Sequence, residues 1–215
     1  MKHIIWDFDG TLLDDTQLSV DVDNYVFERL GLPRITADDY RRNMTMPVRD
    51  FYTALGVDLA VYPYETISRI WLDAFNAKAV DAGLIDGCEQ MLEQMKRAGY
   101  TQSVLSASYQ VSLDEQCEQL GLTRHMLAVD GLQDESAAKK TQIGRRQMEK
   151  LGICGGETVF VGDMVTDAQL AQELGAACVL VAWGHNDEER LLATGCPVAR
   201  STQELTALLK ELAGA

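Results

Sequence analysis

Apolar and polar positions alternate in two different ways along the chain, with the change near residue 84. From residue 85 onward, short apolar runs of strand length alternate with helical stripes that end at glycine. The predicted strands cover 103–106, 126–129, 158–161 and 178–181, and the predicted helices cover 88–95, 111–120, 141–151, 167–174 and 205–212. Apolar strands that alternate with helices are typical of a parallel sheet covered on both faces, so the sequence predicts an α/β fold.

Between the first strand and residue 84, the pattern is helical. Leu18, Val22, Val26 and Leu30 recur every four residues, and Gly31-Leu32-Pro33 then breaks the run. Stripes of this kind usually pack into a core. We therefore expect helices throughout this stretch, packed against one another.

This helical stretch defines the expected domain organisation. Roughly 70 residues of helix are too many for one crossover connection between two strands. The prediction is an α-helical subdomain over residues 15–84, inserted into an α/β core formed by residues 1–14 and 85–215.

The first apolar strand, Ile4-Ile5-Trp6, is followed by two carboxylates two residues apart, Asp7 and Asp9. Because strand side chains repeat with period two, both carboxylates are expected to point toward the same space. Neighbouring carboxylates repel one another unless a proton or a metal ion relieves the repulsion. Taken alone, the Asp-x-Asp pattern favours an acidic turn, since Asp and Gly are common turn residues.

Further polar residues follow later strands or precede a helix. Ser106 ends the second strand and is chosen by position alone among Ser103, Ser106 and Ser108. Asp163 and Asp167 follow a later strand, and Lys139 and Lys140 stand just before a helix. Ligands of parallel sheets bind at the carboxyl ends of the strands, so we expect these groups to meet at one edge. Each has an ordinary alternative: a turn serine, a solvated pair of lysines, and an N-cap aspartate at position 167.

The residue types at this edge suit phosphoryl transfer with Mg²⁺. Carboxylate oxygens from Asp7 and Asp163 are the hard ligands that Mg²⁺ prefers. A lysine and a hydroxyl supply positive charge and a hydrogen bond to a transferring phosphoryl group. One carboxylate can then act as the nucleophile and the other as a general acid and base.

Composition narrows the partners and the compartment. The formal net charge of −14 argues against nucleic acid or an anionic membrane as partner, but local cations and a metal still permit a small phosphorylated substrate. Five widely spaced cysteines without a Cys-x-x-Cys pair favour buried thiols in a reducing cytosol over a zinc site or disulfides. No apolar run approaches the ~20 residues that span a bilayer, so we expect a cytoplasmic protein.

Four motifs, in order along the chain, resemble the signatures of the haloacid dehalogenase-like superfamily. They are Asp7-Phe8-Asp9-Gly10-Thr11-Leu12, Ser106, a lysine before a helix, and Gly162-Asp163-x-x-x-Asp167. The segment from Val181 to His185 is also similar to the ending of phosphoglycolate phosphatase-like members. The resemblance implies a Rossmann-like three-layer core, a helical cap of the first type, and a magnesium-dependent phosphatase acting on a small-molecule phosphomonoester.

The resemblance also implies a role for each matching residue. Asp7 is implied to attack phosphorus and form an aspartyl-phosphate, while Asp9 protonates the departing alcohol and then deprotonates the attacking water. The implied phosphate contacts come from Ser106, Lys140, Thr11 and Gly10. The implied magnesium site contains Asp7, the carbonyl of Asp9, Asp163 and Asp167. Lys140 is preferred over Lys139 because of its spacing to the end of the following helix.

Alternatives to a phosphatase remain open at this stage. A phosphomutase of the β-phosphoglucomutase type shares the same core, and a phosphoaccepting signalling domain combines similar residues on a parallel sheet. The large helical subdomain and Asp9 argue against the signalling domain, because an acid and base at this position promotes turnover. Substrate choice is expected in the subdomain, where Arg41, Arg42 and Arg49 are candidates to meet an anionic leaving group.

Overall fold

Six strands form one sheet in the computed structural model, counted over the residues that it describes, 2–78, 82–133 and 140–214. They are β1 His3–Trp6, β2 Thr101–Tyr109, β3 Val129–Leu132, β4 Thr158–Gly162, β5 Ala177–Val181 and β6 Val198–Ala199. The order across the sheet is β3-β2-β1-β4-β5-β6, and every neighbouring pair is parallel. The predicted α/β class with a parallel sheet is confirmed.

Helices occupy most of the remaining described chain. Four lie between β1 and residue 78: α1 Thr16–Leu30, α2 Ala37–Asn43, α3 Val48–Ala54 and α4 Tyr64–Asn76. The others alternate with the later strands: α5 Cys88–Arg97, α6 Gln110–Gln119, α7 Lys140–Leu151, α8 Val165–Leu174, α9 Glu188–Leu192 and α10 Thr202–Gly214. Within the described ranges, no helix is both long and apolar enough to cross a membrane.

Successive residues of β1 point to opposite faces of the sheet and join different apolar layers. Ile4 and Trp6 pack with residues of α5, α6 and α10, whereas Ile5 packs with residues of α7 and α8. All three side chains are fully buried. The core therefore has three layers, helices, sheet and helices, as the resemblance implies.

Helices α1 to α4 enclose an apolar core of their own. It includes Val26, Tyr40, Phe51 and Ile67, one from each helix, all of them buried. Helix α1 ends where predicted, because Gly31 adopts a left-handed φ of 68° and caps the helix. The stretch is not helical throughout as expected, since loops join the four helices. A separate core supports the predicted helical subdomain, whose limits remain a prediction.

Strand β2 is longer than predicted, running over Thr101–Tyr109 and not only 103–106. Gln102 and Ser103 are buried, and both make side-chain hydrogen bonds inside the core. Because these polar side chains are hydrogen-bonded inside the core, they can lie in a buried strand, and the apolar residues alone predicted too short a strand. Ser106 therefore lies within β2, beside an irregularity in its pairing with β3, and not at the end of the strand as predicted.

Several smaller predictions also differ from the structure. The third strand is Val129–Leu132, shifted from the predicted 126–129, and α8 begins at Val165, two residues before Asp167. Helix α9 and strand β6 were missed because five and two residues are too short to show a period. Cys154 is exposed, so not all the thiols are buried as expected.

Candidate active site

Asp7 leaves the carboxyl end of β1 and faces a lysine. Its backbone N–H donates to the Val161 carbonyl at 2.8 Å, which continues the pairing with β4 and holds the residue in line. Its Oδ1 atom accepts from the Phe8 N–H and lies 2.8 Å from Lys140 Nζ. Within the described residues, no hydrogen-bond donor contacts the second oxygen, Oδ2. The geometry therefore presents one oxygen of a fixed carboxylate to an incoming group.

Lys140 bridges two of the predicted carboxylates. It is the first residue of α7, where the prediction had the helix begin at the next residue. Its ammonium group lies 2.8 Å from Asp7 Oδ1 and 3.0 Å from Asp167 Oδ1. Burial lowers the pKa of Lys140, but Asp167 and Asp7 outweigh burial and raise it, so the ammonium stays charged. The alternative lysine, Lys139, lies outside the described residues.

Asp9 is held by two serines of β2. Ser106 Oγ and Ser108 Oγ donate to the same oxygen, Asp9 Oδ2, at 3.0 and 2.7 Å. Residues 106 and 108 are two positions apart in β2, so their side chains can leave the same face of the strand and contact one atom. Ser103 lies deeper and bonds to Gln147 instead. Position along the strand favoured Ser106 over Ser103 and Ser108, but Ser108 contacts the same carboxylate oxygen as Ser106.

The environment of Asp9 favours its protonated form. Burial raises its pKa, the neighbouring Asp15 carboxylate adds to the rise, and the Ser108 hydroxyl opposes it. A carboxyl group with a raised pKa keeps its proton to a higher pH than an ordinary carboxyl group and can give it to a leaving group. The two carboxyls of the Asp-x-Asp pair thus have different surroundings, one facing a cation and the other facing hydroxyls.

Asp163 and Asp167 close the site from the β4 side. Asp163 is fully buried and accepts from Thr11 Oγ1 at 2.9 Å and from the His185 N–H at 2.6 Å. Asp167 accepts from the N–H groups of residues 163 and 164 at 3.2 and 3.0 Å. It is the third residue of α8, so the alternative that it is the N-cap was wrong. Asp167 therefore holds both the β4 turn and Lys140.

Three of the predicted metal ligands form a cluster. Asp7, Asp163 and Asp167 are buried, and each offers a carboxylate oxygen within 4.8 Å of the others. Burial raises the pKa of Asp7 well above its ordinary value and that of Asp163 to about 6, because negative charge in this space is costly. One lysine does not balance three carboxylates, so the cluster fits an added hard cation such as Mg²⁺. The Asp9 side chain faces the serines, which leaves its backbone carbonyl as the implied ligand.

Gly10 and Thr11 have contacts beyond their implied role in phosphate binding. The Gly10 N–H donates to Asp15 Oδ1 at 2.7 Å, and the Thr11 hydroxyl donates to Asp163. Gly10 has a left-handed φ of 69°, and a Cβ added there would lie 2.5 Å from Asp163 Oδ2. Both residues therefore pack the turn against the carboxylates, and their contact with phosphate remains a prediction.

The three candidate arginines differ in exposure and contacts. The Arg49 guanidinium is exposed, 5.3 Å from the Tyr64 ring centroid and 4.0 Å from Glu65. Arg42 is exposed and borders an open cavity of about 350 Å³ with Arg190 and two acidic residues. The Arg41 guanidinium is half-buried and donates to the Gly184 and Trp183 carbonyls. Their role toward the substrate remains a prediction.

Sequence reasoning missed a buried histidine between the core and the helical subdomain. His185 Nδ1 lies 2.9 Å from Tyr40 Oη, and His185 Nε2 lies 3.4 Å from Asp15 Oδ1. Burial lowers the pKa of His185, but Asp15, Asp163 and Asp9 outweigh it and raise the pKa to about 10. The signal was present, since His185 follows an apolar strand at the same sheet edge.

Comparisons with known proteins agree with this arrangement. The family model described as haloacid dehalogenase-like hydrolase matches residues 4–181. A phosphoglycolate phosphatase of Mesorhizobium japonicum is 26% identical, over 86% of this chain and 84% of its own length. A 5'-nucleotidase of Pseudomonas aeruginosa is 24% identical, over 89% of this chain and 87% of its own length. In fold, a predicted phosphatase from Clostridium acetobutylicum matches with a TM-score of 0.83, 21% identity and 98% coverage of both chains.

Proposed function

Because the chain belongs to the haloacid dehalogenase-like hydrolase family, we propose that it is a magnesium-dependent phosphatase that hydrolyses a small phosphomonoester through an aspartyl-phosphate. The observation that carries the proposal is the position of Lys140 Nζ, within 3.0 Å of both Asp7 and Asp167, beside the buried Asp163. Four carboxyl groups and a lysine at one sheet edge match what phosphoryl transfer requires.

In the first step, Asp7 Oδ2 attacks phosphorus, and the bond from phosphorus to the ester oxygen breaks. The Asp9 carboxyl gives its proton to that oxygen, which leaves as an alcohol. Lys140 offsets the negative charge on the phosphoryl oxygens. The serine hydroxyls keep the Asp9 carboxyl in place, and Ser106 is also the proposed donor to the phosphoryl group.

In the second step, water attacks the aspartyl-phosphate and releases orthophosphate. Asp9, now a carboxylate, takes the proton of the water, and Asp7 is restored as a carboxylate. The raised pKa of Asp9 suits both halves of the cycle, because the group must hold a proton in one step and accept one in the next.

The residues proposed to hold Mg²⁺ are Asp7, Asp163, the carbonyl of Asp9 and, from close by, Asp167. When bound, the ion supplies positive charge for the phosphoryl oxygens, in addition to that of Lys140. Without it, the clustered carboxylates repel an anionic substrate.

The helical subdomain, proposed as residues 15–84, would cover the leaving group and exclude water from the first step. The similarity to phosphoglycolate phosphatases suggests an acidic leaving group such as glycolate, and the similarity to a 5'-nucleotidase suggests a nucleoside. Substrates of both classes therefore belong in the first assay.

The test is release of orthophosphate from phosphoglycolate, sugar phosphates and nucleoside 5'-monophosphates, with Mg²⁺ or with EDTA. We expect release that requires the metal and is abolished in Asp7→Asn. Asp21→Asn is the matched control, because this aspartate is exposed on α1 and bonds only to Gln17 among the described residues. Release that persists in Asp7→Asn contradicts the proposal. Isomerisation of a sugar phosphate without phosphate release also contradicts it and favours a mutase.

A further inference from the structure

The His185 side chain lies between α2 and residues 9–15, the turn after β1 that we call the catalytic turn. The ring is buried, with Nδ1 2.9 Å from the Tyr40 hydroxyl of α2 and Nε2 3.4 Å from Asp15 Oδ1. Nε2 faces the Asp15 carboxylate and Nδ1 faces the tyrosine hydroxyl, so each ring nitrogen has one polar partner. One imidazole thus joins α2 to Asp15, at the end of the catalytic turn.

Asp15 continues the connection to the catalytic turn. Its Oδ1 atom, which faces His185, also accepts the N–H of Gly10 at 2.7 Å. Gly10 directly follows Asp9, and a Cβ added at Gly10 would lie 2.5 Å from His185 Cδ2. The ring therefore packs on the turn that places Asp9, as well as bonding to it through Asp15.

The same segment of the core holds the C-terminal end of α2. Arg190 Nη1 donates to the Arg41 and Met44 carbonyls at 2.9 and 2.8 Å, and Asn186 Nδ2 donates to the Met44 carbonyl at 2.9 Å. These bonds satisfy carbonyls at the end of the helix. Helix α2 is thus docked beside His185, and Tyr40 reaches the ring because of that docking.

We propose that His185 is a positioning residue that makes the geometry of the catalytic turn depend on the docking of α2. With α2 docked, Tyr40 fixes the ring, the ring fixes Asp15, and Asp15 fixes the Gly10 amide next to Asp9. Without the tyrosine contact, Asp15 and the turn gain freedom, and Asp9 spends less time at the leaving oxygen. The inference rests on the proposed phosphatase function for its kinetic consequence, but not for its structural one.

The kinetic test uses variants that remove one contact each. Tyr40→Phe removes only the hydroxyl, and His185→Gln keeps a polar group toward Asp15 but not the contact of Nδ1. Each is expected to lower kcat about tenfold, equivalent to about 1.4 kcal/mol, with KM little changed. The double variant is expected to be no worse than the poorer single variant, because both interrupt one connection.

Tyr52→Phe is the matched control. Tyr52 is also a buried tyrosine of the subdomain, and its hydroxyl donates to Asp23 Oδ1 at 2.7 Å, inside the subdomain. We expect it to lower thermal stability about as much as Tyr40→Phe but to leave kcat unchanged. A loss of kcat in Tyr52→Phe equal to that in Tyr40→Phe, or additive losses in the double variant, would overturn the proposal.

A second measurement does not depend on turnover. Hydrogen exchange of the Gly10 amide, followed by NMR, is expected to be faster in Tyr40→Phe and in His185→Gln than in the wild type or Tyr52→Phe. Unchanged exchange at Gly10 in both variants would overturn the positioning role. If the wild type releases no phosphate from any ester, the proposed function fails, and the exchange result alone decides this inference.

Discussion

Lys140 Nζ lies 2.8 Å from Asp7 Oδ1, so the first residue of α7 contacts the carboxylate that follows β1. The two residues are far apart in the chain. They meet because β1 lies inside the parallel sheet, between β2 and β4. This contact joins a charged lysine to the proposed nucleophile, and it makes specific predictions possible.

Lys140→Met is expected to lower kcat/KM by about 100-fold or more, because it removes the positive charge that faces the phosphoryl oxygens. Steady-state phosphate release measures the effect. Lys150→Met, at an exposed position on the same helix, is the control and is expected to match the wild type. Wild-type kcat/KM in Lys140→Met would remove this lysine from the site.

Asp9→Asn is expected to lower kcat by roughly 10²–10⁴-fold for alkyl phosphates, whose leaving alcohols need a proton. The nitrophenolate of p-nitrophenyl phosphate departs without a proton. The rate of the first step is therefore expected to be close to that of the wild type, and hydrolysis of the aspartyl-phosphate is expected to be slow. The measurement is a rapid burst of nitrophenol in stopped flow. Equal losses in both steps for both ester types would contradict the assignment of Asp9 as acid and base.

Gly10→Ala is expected to inactivate the protein for a steric reason. The added Cβ would meet Asp163 and His185, and the φ of 69° is strained for alanine. Gly31→Ala separates the two effects, because Gly31 has a φ of 68° with no atom within 4 Å of an added Cβ. Both variants are expected to lose about 1 kcal/mol of stability because alanine is strained at a positive φ. Only Gly10→Ala is expected to lose its activity. Full activity in Gly10→Ala would show that the turn tolerates the side chain.

The buried Asp23 makes stability depend on pH. Burial raises its pKa from 3.8 to about 7, and the Tyr52 hydroxyl opposes the rise. Between these pH values the folded state holds a proton that the unfolded state releases, so this contribution to stability is present at low pH and is lost as pH rises toward 7. From about pH 5 to about pH 8, the free energy of unfolding measured in urea is expected to fall more for the wild type than for Asp23→Asn. An equal loss in both would contradict the raised pKa, and Asp21→Asn, exposed on the same helix, should behave as the wild type.

The sequence predicted the parallel sheet and much of the candidate site because both follow from local patterns. Apolar runs located the main strands, and the rule that ligands bind at carboxyl ends placed Asp7, Asp9 and Asp163 together. Ser106 was preferred to Ser108 because the predicted strand ended at residue 106, whereas β2 continues to Tyr109 and carries both hydroxyls to Asp9. The contact of Tyr40 with His185 joins residues 145 positions apart, through a docking of helix on loop that a linear pattern does not encode.

The most direct test of the central claim is the mass of the peptide that contains Asp7, after Asp9→Asn is mixed with p-nitrophenyl phosphate and Mg²⁺ and quenched in acid. We expect one added phosphoryl group on Asp7, because the variant forms the aspartyl-phosphate faster than it hydrolyses it. Release of nitrophenol without any phosphorylated Asp7, or with the phosphoryl group on another residue, would show that Asp7 is not the nucleophile.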